Sequence, residues 1–75
     1  MPKLPQVSGA EAIRALERLG FVRVRQRGSH VILKKRAPAG DVGCVVPLHP
    51  ELAPGTLRGI LKLAKVDADD FKKHL

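Results

Sequence analysis

The sequence predicts an α+β domain of two layers, ordered α-β-β-β-α, with a three-stranded antiparallel sheet and a short extra helix at the C-terminus. Three observations carry this. Residues 8–20 join a helix-capping signal to apolar residues at helical spacing, residues 21–35 change to a period of two around a Gly-Ser turn, and residues 54–71 return to helical spacing. Two helices with one apolar stripe each can cover one face of such a sheet. No repeat or linker divides the chain, so residues 1–75 read as a single domain.

The elements follow in order. Met1 to Val7, with Pro2 and Pro5, is an extended lead-in. Ser8-Gly9-Ala10-Glu11 has the form of a capping box: the Ser8 hydroxyl accepts from the Glu11 amide, and the Glu11 carboxylate accepts from the Ser8 amide. Ala12, Ile13, Leu16 and Leu19 then share one helical face, Arg14, Glu17 and Arg18 take the other, and Gly20 can adopt the left-handed conformation that ends a helix. The first helix is predicted over residues 9–19. Residues 21–26 alternate, which predicts a half-buried strand with Val22 and Val24 toward the helices and Arg23 and Arg25 toward solvent. Arg27-Gly28-Ser29 supplies a tight turn, because glycine accepts positive φ at no steric cost.

Residues 30–35 form the second strand, and its consecutive Val31, Ile32 and Leu33 leave open whether Ile32 or the Val31/Leu33 pair faces the core. Residues 36–43, with Pro38, Gly40 and Gly43, read as a loop. Cys44-Val45-Val46 is a short third strand ended by Pro47, which cannot donate to a ladder. Residues 48–53 cross over to a helix opening at Pro54-Gly55-Thr56, whose Leu57, Ile60, Leu61 and Ala64 form one stripe opposite Arg58, Lys62 and Lys65. Asp67 to Asp70 offers an acidic cap for a short helix from Ala68, pinned by Phe71.

Composition narrows the function. Apolar residues are 44% of the chain, which argues against disorder, and the two aromatics, Phe21 and Phe71, imply a mostly aliphatic core. No apolar run approaches the ~20 residues of a bilayer span, and the N-terminus lacks the apolar segment of a signal peptide. The expectation is a cytoplasmic protein with no membrane contact. The lone Cys44 cannot form an internal disulfide and sits in an apolar run, where it serves as a small buried side chain. The formal charge of +7, with a pI near 10.4, calls for a polyanionic partner. Nucleic acid and an acidic protein both qualify; a membrane surface comes last, because no basic amphipathic helix carries bulky apolar residues.

The charge is concentrated. Between Arg23 and Arg36 stand six cations (Arg23, Arg25, Arg27, Lys34, Lys35, Arg36), no acid, and one histidine, His30. An imidazole free in water titrates near ~6.5 and can move a proton at neutral pH, and cations around it gather a polyanion over it. His30, His49, His74 and Cys44 show no metal-ligand spacing, so neither a metal nor another cofactor is expected. His49, in Leu48-His49-Pro50, reads as a hydrogen-bonded crossover residue, and His74, beside the terminus, as a solvated one. Gly55-Thr56 could offer free amides to a phosphate, but helix starts of this kind are common.

Gly28-Ser29-His30 leading into an apolar strand, then Val45-Val46-Pro47-Leu48-His49-Pro50, then Pro54-Gly55-Thr56-Leu57-Arg58-Gly59-Ile60-Leu61 resembles the HicA toxins. These are small mRNA interferases of bacterial type II toxin–antitoxin modules. The resemblance runs from the first helix to Phe71. It implies a fold similar to the double-stranded RNA-binding domain and metal-independent cleavage of mRNA. It also implies that His30, the histidine of the Gly-Ser-His stretch, is essential, and that a HicB-type antitoxin neutralises the toxin by covering His30. The loop at residues 36–43 reads longer than in many members, which leaves the position of strand three open.

The chemistry agrees with that resemblance. RNA carries its own nucleophile, the 2′-hydroxyl, so cleavage needs proton transfer and stabilisation of the phosphorane charge. His30 can act as the general acid or base, and Arg25, Arg27 or Lys34 can meet the charge. The candidate RNA contacts are Arg23, Arg25, Arg27, Gly28, Ser29, Lys34 and Lys35. A single histidine leaves the opposite proton transfer to water or substrate, which predicts a slow enzyme. The competing readings are a non-catalytic basic RNA-binding module and an adaptor whose basic face docks an acidic protein.

Overall fold

The computed structural model describes residues 4–75, so the first three residues of the predicted lead-in lie outside the described chain. Helix α1 (Gly9–Arg18) starts where its cap requires. The Glu11 amide donates to Ser8 Oγ at 3.0 Å and the Ser8 amide to Glu11 Oε1 at 2.9 Å, which closes the capping box. Ala12, Ile13, Ala15 and Leu16 are buried, and Gly20, at φ +102°, turns the chain out of the helix.

Strands β1 (Val22–Arg27), β2 (His30–Lys35) and β3 (Val42–Pro47) form one antiparallel sheet in the order β1-β2-β3. Helices α2 (Pro54–Ala64) and α3 (Ala68–Lys73) complete the α+β order predicted from sequence. Register settles the parity of β2. Val31 lies opposite Val46 and Leu33 opposite Cys44, and all four are buried, whereas Ile32 pairs with the exposed Val45 on the other face. The core joins Ile13 and Leu16 of α1 to this pair of strands, to Leu57 and Ile60 of α2, and to the fully buried Phe71 of α3. Burying a side chain of that size contributes about 1.5–3 kcal/mol. Asp67 occupies the cap position of α3, but its side chain makes no capping hydrogen bond.

Three expectations are corrected. Strand β3 begins two residues earlier than predicted and includes Pro47. Gly43 fits the ladder opposite Lys34, where a Cβ would stand 3.2 Å from the Leu33 carbonyl oxygen. Pro47 is tolerated because β3 is an edge strand and Pro47 is its last residue. Secondly, Val22 and Val24 do not face the helices; they are 62% and 52% exposed. The pairing slips at Val24, between Arg23 opposite Leu33 and Arg25 opposite Ile32, so the parity of β1 reverses at this bulge. Thirdly, His74 is half-buried rather than solvated: its Nδ1 donates to the Asp70 carbonyl at 2.7 Å, and its own carbonyl accepts from Arg18 Nη1 at 2.7 Å.

The N-terminus of α1 sits directly on the end of β3. The Gly9 amide donates to the His49 carbonyl at 2.9 Å, and a Cβ built on Gly9 would overlap the Pro47 carbonyl oxygen and stand 2.9 Å from Leu48 Cα. This contact fixes the chain on both sides of Leu48.

Candidate functional site

The hairpin between β1 and β2 closes on Arg27 and His30, which are paired across the sheet, with Gly28 and Ser29 as its two turn residues. Gly28 takes φ +59°, and its carbonyl accepts from Gln26 Nε2 at 3.0 Å. The Ser29 carbonyl accepts from the Leu48 amide at 2.7 Å. The turn is therefore held from within by Gln26 and from β3 by the residue that follows Pro47.

His30 opens the central strand. Its neighbours across the sheet are Arg27 on β1 and Pro47 on β3, and it is exposed. Residues paired across a sheet share a face, which sorts the candidate RNA contacts. Arg25 pairs with Ile32, Arg27 with His30, and Lys34 with Val22 and Gly43, so these three cations and His30 project from the face that carries no helix. Arg23 pairs with Leu33, on the helix-bearing side, and its Nε lies 3.5 Å from Glu17 Oε2 of α1. Lys35 also leaves that group: its Nζ stands 5.9 Å from the centroid of the buried Phe21 ring. Of the seven predicted contacts, Arg25, Arg27 and Lys34 lie on one face with His30, Gly28 and Ser29 form the adjoining turn, and Arg23 and Lys35 are separate.

The open face is cationic and partly apolar. Among the described residues the single ion pair is Arg23–Glu17, which leaves Arg25, Arg27 and Lys34 without an acidic partner. Both side chains of that pair are about half exposed, so it is worth little, roughly 0–1 kcal/mol. No charged or polar side chain is buried among the described residues, so all of this chemistry sits at the surface. At the end of the sheet away from His30, a groove of about 480 Å³ is lined by Gly20, Val22, Val24, Lys34, Lys35, Arg36 and one acid, Asp41.

The remaining candidates fall elsewhere. Cys44 is buried, and loss of solvent pushes its thiol up to about 11, which removes it from redox or nucleophilic work at neutral pH. Among the described residues, no three of His, Cys, Asp and Glu come together in a way that could hold a metal ion. Nor, among those residues, is any helix long and apolar enough to cross a membrane. Gly55 and Thr56 open α2 with no side-chain cap, and both are exposed. His49 is hydrogen-bonded in the crossover, as the sequence predicts. Its expected hydrogen bond exists, but the backbone makes it, and the side chain stands exposed one residue beyond the Leu48–Ser29 contact.

A family model described as the HicA toxin of bacterial toxin–antitoxin systems matches residues 9–66, well over half of the chain. The match begins with the first residue of α1 and ends two residues beyond α2, so it includes the hairpin, His30 and the crossover. No curated protein matches the chain.

Proposed function

The chain belongs to the HicA toxin family of bacterial toxin–antitoxin systems, and from that membership we propose that it is an endoribonuclease that cleaves mRNA, with His30 transferring a proton. The observation that supports this reading is the setting of His30: an exposed imidazole on the central strand, beside Arg27 and on one face with Arg25 and Lys34, none of which has an acidic partner. Cations without a partner raise the local concentration of a polyanion and meet the charge that builds on phosphorus during cleavage.

In the reaction, the 2′-oxygen attacks the adjacent phosphorus and the bond to the 5′-oxygen breaks. His30 either takes the proton that the 2′-hydroxyl loses or gives one to the departing 5′-oxygen. Arg27, directly across the ladder, is the cation best placed to stabilise the non-bridging oxygens, with Arg25 and Lys34 holding flanking phosphates. Phe21 and Phe71 are both buried, so any base stacking on this face falls to the histidine ring and the arginine guanidinium planes. Recognition on this face rests on phosphate contacts, the 2′-hydroxyl and shape.

A toxin of this kind is paired with an antitoxin. We assign that role to an acidic protein of the HicB type that covers His30 and the arginines of the open face, so that inhibition and substrate exclusion are the same event.

The deciding experiment is cleavage of RNA by the purified protein in EDTA, for the wild type and His30→Ala. A positioned proton-transfer group contributes typically ~10²–10⁴-fold, or about 3–5 kcal/mol of barrier. Because His30 is exposed, its removal costs about 0.5 kcal/mol of stability or less. The variant should keep its melting temperature, bind RNA and fail to cut it. Cleavage that survives in a well-folded His30→Ala protein reduces the domain to an RNA-binding module.

A further inference from the structure

We propose that His49 is the second proton-transfer group of the cleavage assigned above to His30, a proposal that rests on that ribonuclease reading. The need for a second group comes from counting protons. Attack by the 2′-oxygen releases one proton, and departure of the 5′-oxygen takes one up, leaving a 2′,3′-cyclic phosphate and a 5′-hydroxyl. The overall balance is zero, but one group must accept while another donates, on opposite sides of the phosphorus. His30 can perform only one of the two at a time.

The sheet brings a second imidazole to the same place. In the β2–β3 pairing His30 stands opposite Pro47, and the Leu48 amide donates to the Ser29 carbonyl at 2.7 Å, so the register continues one residue past the end of β3. His49 follows Leu48 directly, two residues beyond the Pro47 that pairs with His30. Where pairing continues, the residue two beyond a cross-strand partner lies about 7–8 Å away, within reach of longer side chains, and here the pairing runs as far as Leu48. A phosphodiester held between His30 and His49 would then have Arg27 beyond His30, on the β1 side of the sheet.

The position is also fixed and free in the right parts. The His49 carbonyl accepts from the Gly9 amide at 2.9 Å, Pro50 follows immediately, and α1 begins with a glycine that lies against the Pro47 carbonyl. The side chain, by contrast, is exposed, and among the described residues neither imidazole has a hydrogen-bond partner. The ring of His74, by contrast, is engaged with the Asp70 carbonyl. Glu11 of α1 and Glu51 of the crossover line one shallow pocket with Pro50, and across the sheet His30 pairs with Pro47 and with Arg27. Glu11 is engaged with Ser8 in the helix cap.

The test compares wild type, His49→Gln and His30→Gln in EDTA on an RNA whose cleaved bond has been mapped. It uses that RNA both as such and with sulfur replacing the bridging 5′-oxygen. A sulfur leaving group departs without a proton. His49→Gln should slow cleavage by about 10²–10⁴-fold while RNA affinity and melting temperature stay at wild-type values. Each variant should lose a different limb of the pH–rate profile, and the sulfur substrate should restore whichever variant lacks the acid and not the other. Cleavage by His49→Gln within about threefold of wild type, against an inactive His30→Gln, overturns the role of His49 and leaves His30 standing. Normal cleavage by His30→Gln instead removes the ribonuclease site itself, and this proposal with it.

Discussion

Replacing Gly9 by alanine tests whether the close seat of α1 on the end of β3 is what holds the candidate site. In most helices the exchange is favourable, because alanine gains about 0.5–1 kcal/mol over glycine in helical backbone. Here the added Cβ meets backbone on two sides: it overlaps the Pro47 carbonyl oxygen and stands 2.9 Å from Leu48 Cα. Neither atom belongs to a side chain that can rotate away. Helix α1 must lift, which weakens the hydrogen bond from the Gly9 amide to the His49 carbonyl and loosens the packing of Ala12, Ile13 and Leu16. Overpacking of this kind costs about 1–3 kcal/mol or somewhat more, and a weakened backbone hydrogen bond adds about 1. After subtracting the helical gain, a net loss of about 1–3.5 kcal/mol is expected, which for a domain of this size lowers the melting temperature by roughly 5–25 °C. Gly59→Ala provides the control, since its Cβ would meet nothing within 4 Å in the middle of α2, and it should gain about 0.5–1 kcal/mol. Thermal melts followed by circular dichroism read both. A Gly9→Ala protein that melts within 2 °C of wild type, by the roughly 4–8 °C per kcal/mol of such domains, would refute the close contact.

The remaining expectations concern charge and the thiol. Exchanging Arg25, Arg27 and Lys34 together for Gln should reduce the salt slope of RNA binding by about 2–3, near 0.7–0.9 per lost phosphate contact, whereas exchanging Arg23 and Lys35 should change it by less than about 1. Equal effects from the two sets would show that RNA is not gripped on the open face. Cys44 should resist alkylation at pH 8 in the folded protein, with its thiol pushed up to about 11 by burial, and react promptly in urea; rapid native-state labelling would contradict its place in the core.

Much of the fold was legible because it is locally encoded. Ser8 and Glu11 form their box three residues apart, Gly20 and Gly28 take the positive φ expected of them, and the stripe of α2 is buried where its spacing placed it. The errors arise where one segment's environment is set by a distant one. The alternation of β1 was read as a buried face, yet β1 is an edge strand with all six residues exposed, and the bulge at Val24 reverses its parity. Nothing within residues 22–27 encodes which strand lies on its far side. The same limit applies to Gly9, which looks like an ordinary helix residue until Pro47 is brought against it. The candidate RNA contacts were chosen by sequence neighbourhood, and a sheet divides such a neighbourhood between two faces, which is why Arg23 and Lys35 leave the group.

The exposed β1 also indicates what the hairpin is for. A strand whose side chains are all exposed buries little and contributes little to the core, and three cations on one face repel each other, so these residues are hard to explain by stability alone. The core is completed on the other side of the sheet, by β2, β3 and the helices, which leaves β1 to carry charge without endangering the fold. His30, meanwhile, lies on the central strand, paired on both sides, where a side chain is positioned far better than on an edge. The division has a measurable consequence. If the cations serve a ligand rather than the fold, the Arg25/Arg27/Lys34 variant should melt no lower than the wild type while its RNA affinity collapses, because neutralising unpaired like charges relieves repulsion. A variant that instead unfolds would make the hairpin charges structural and leave the open face without an assigned role.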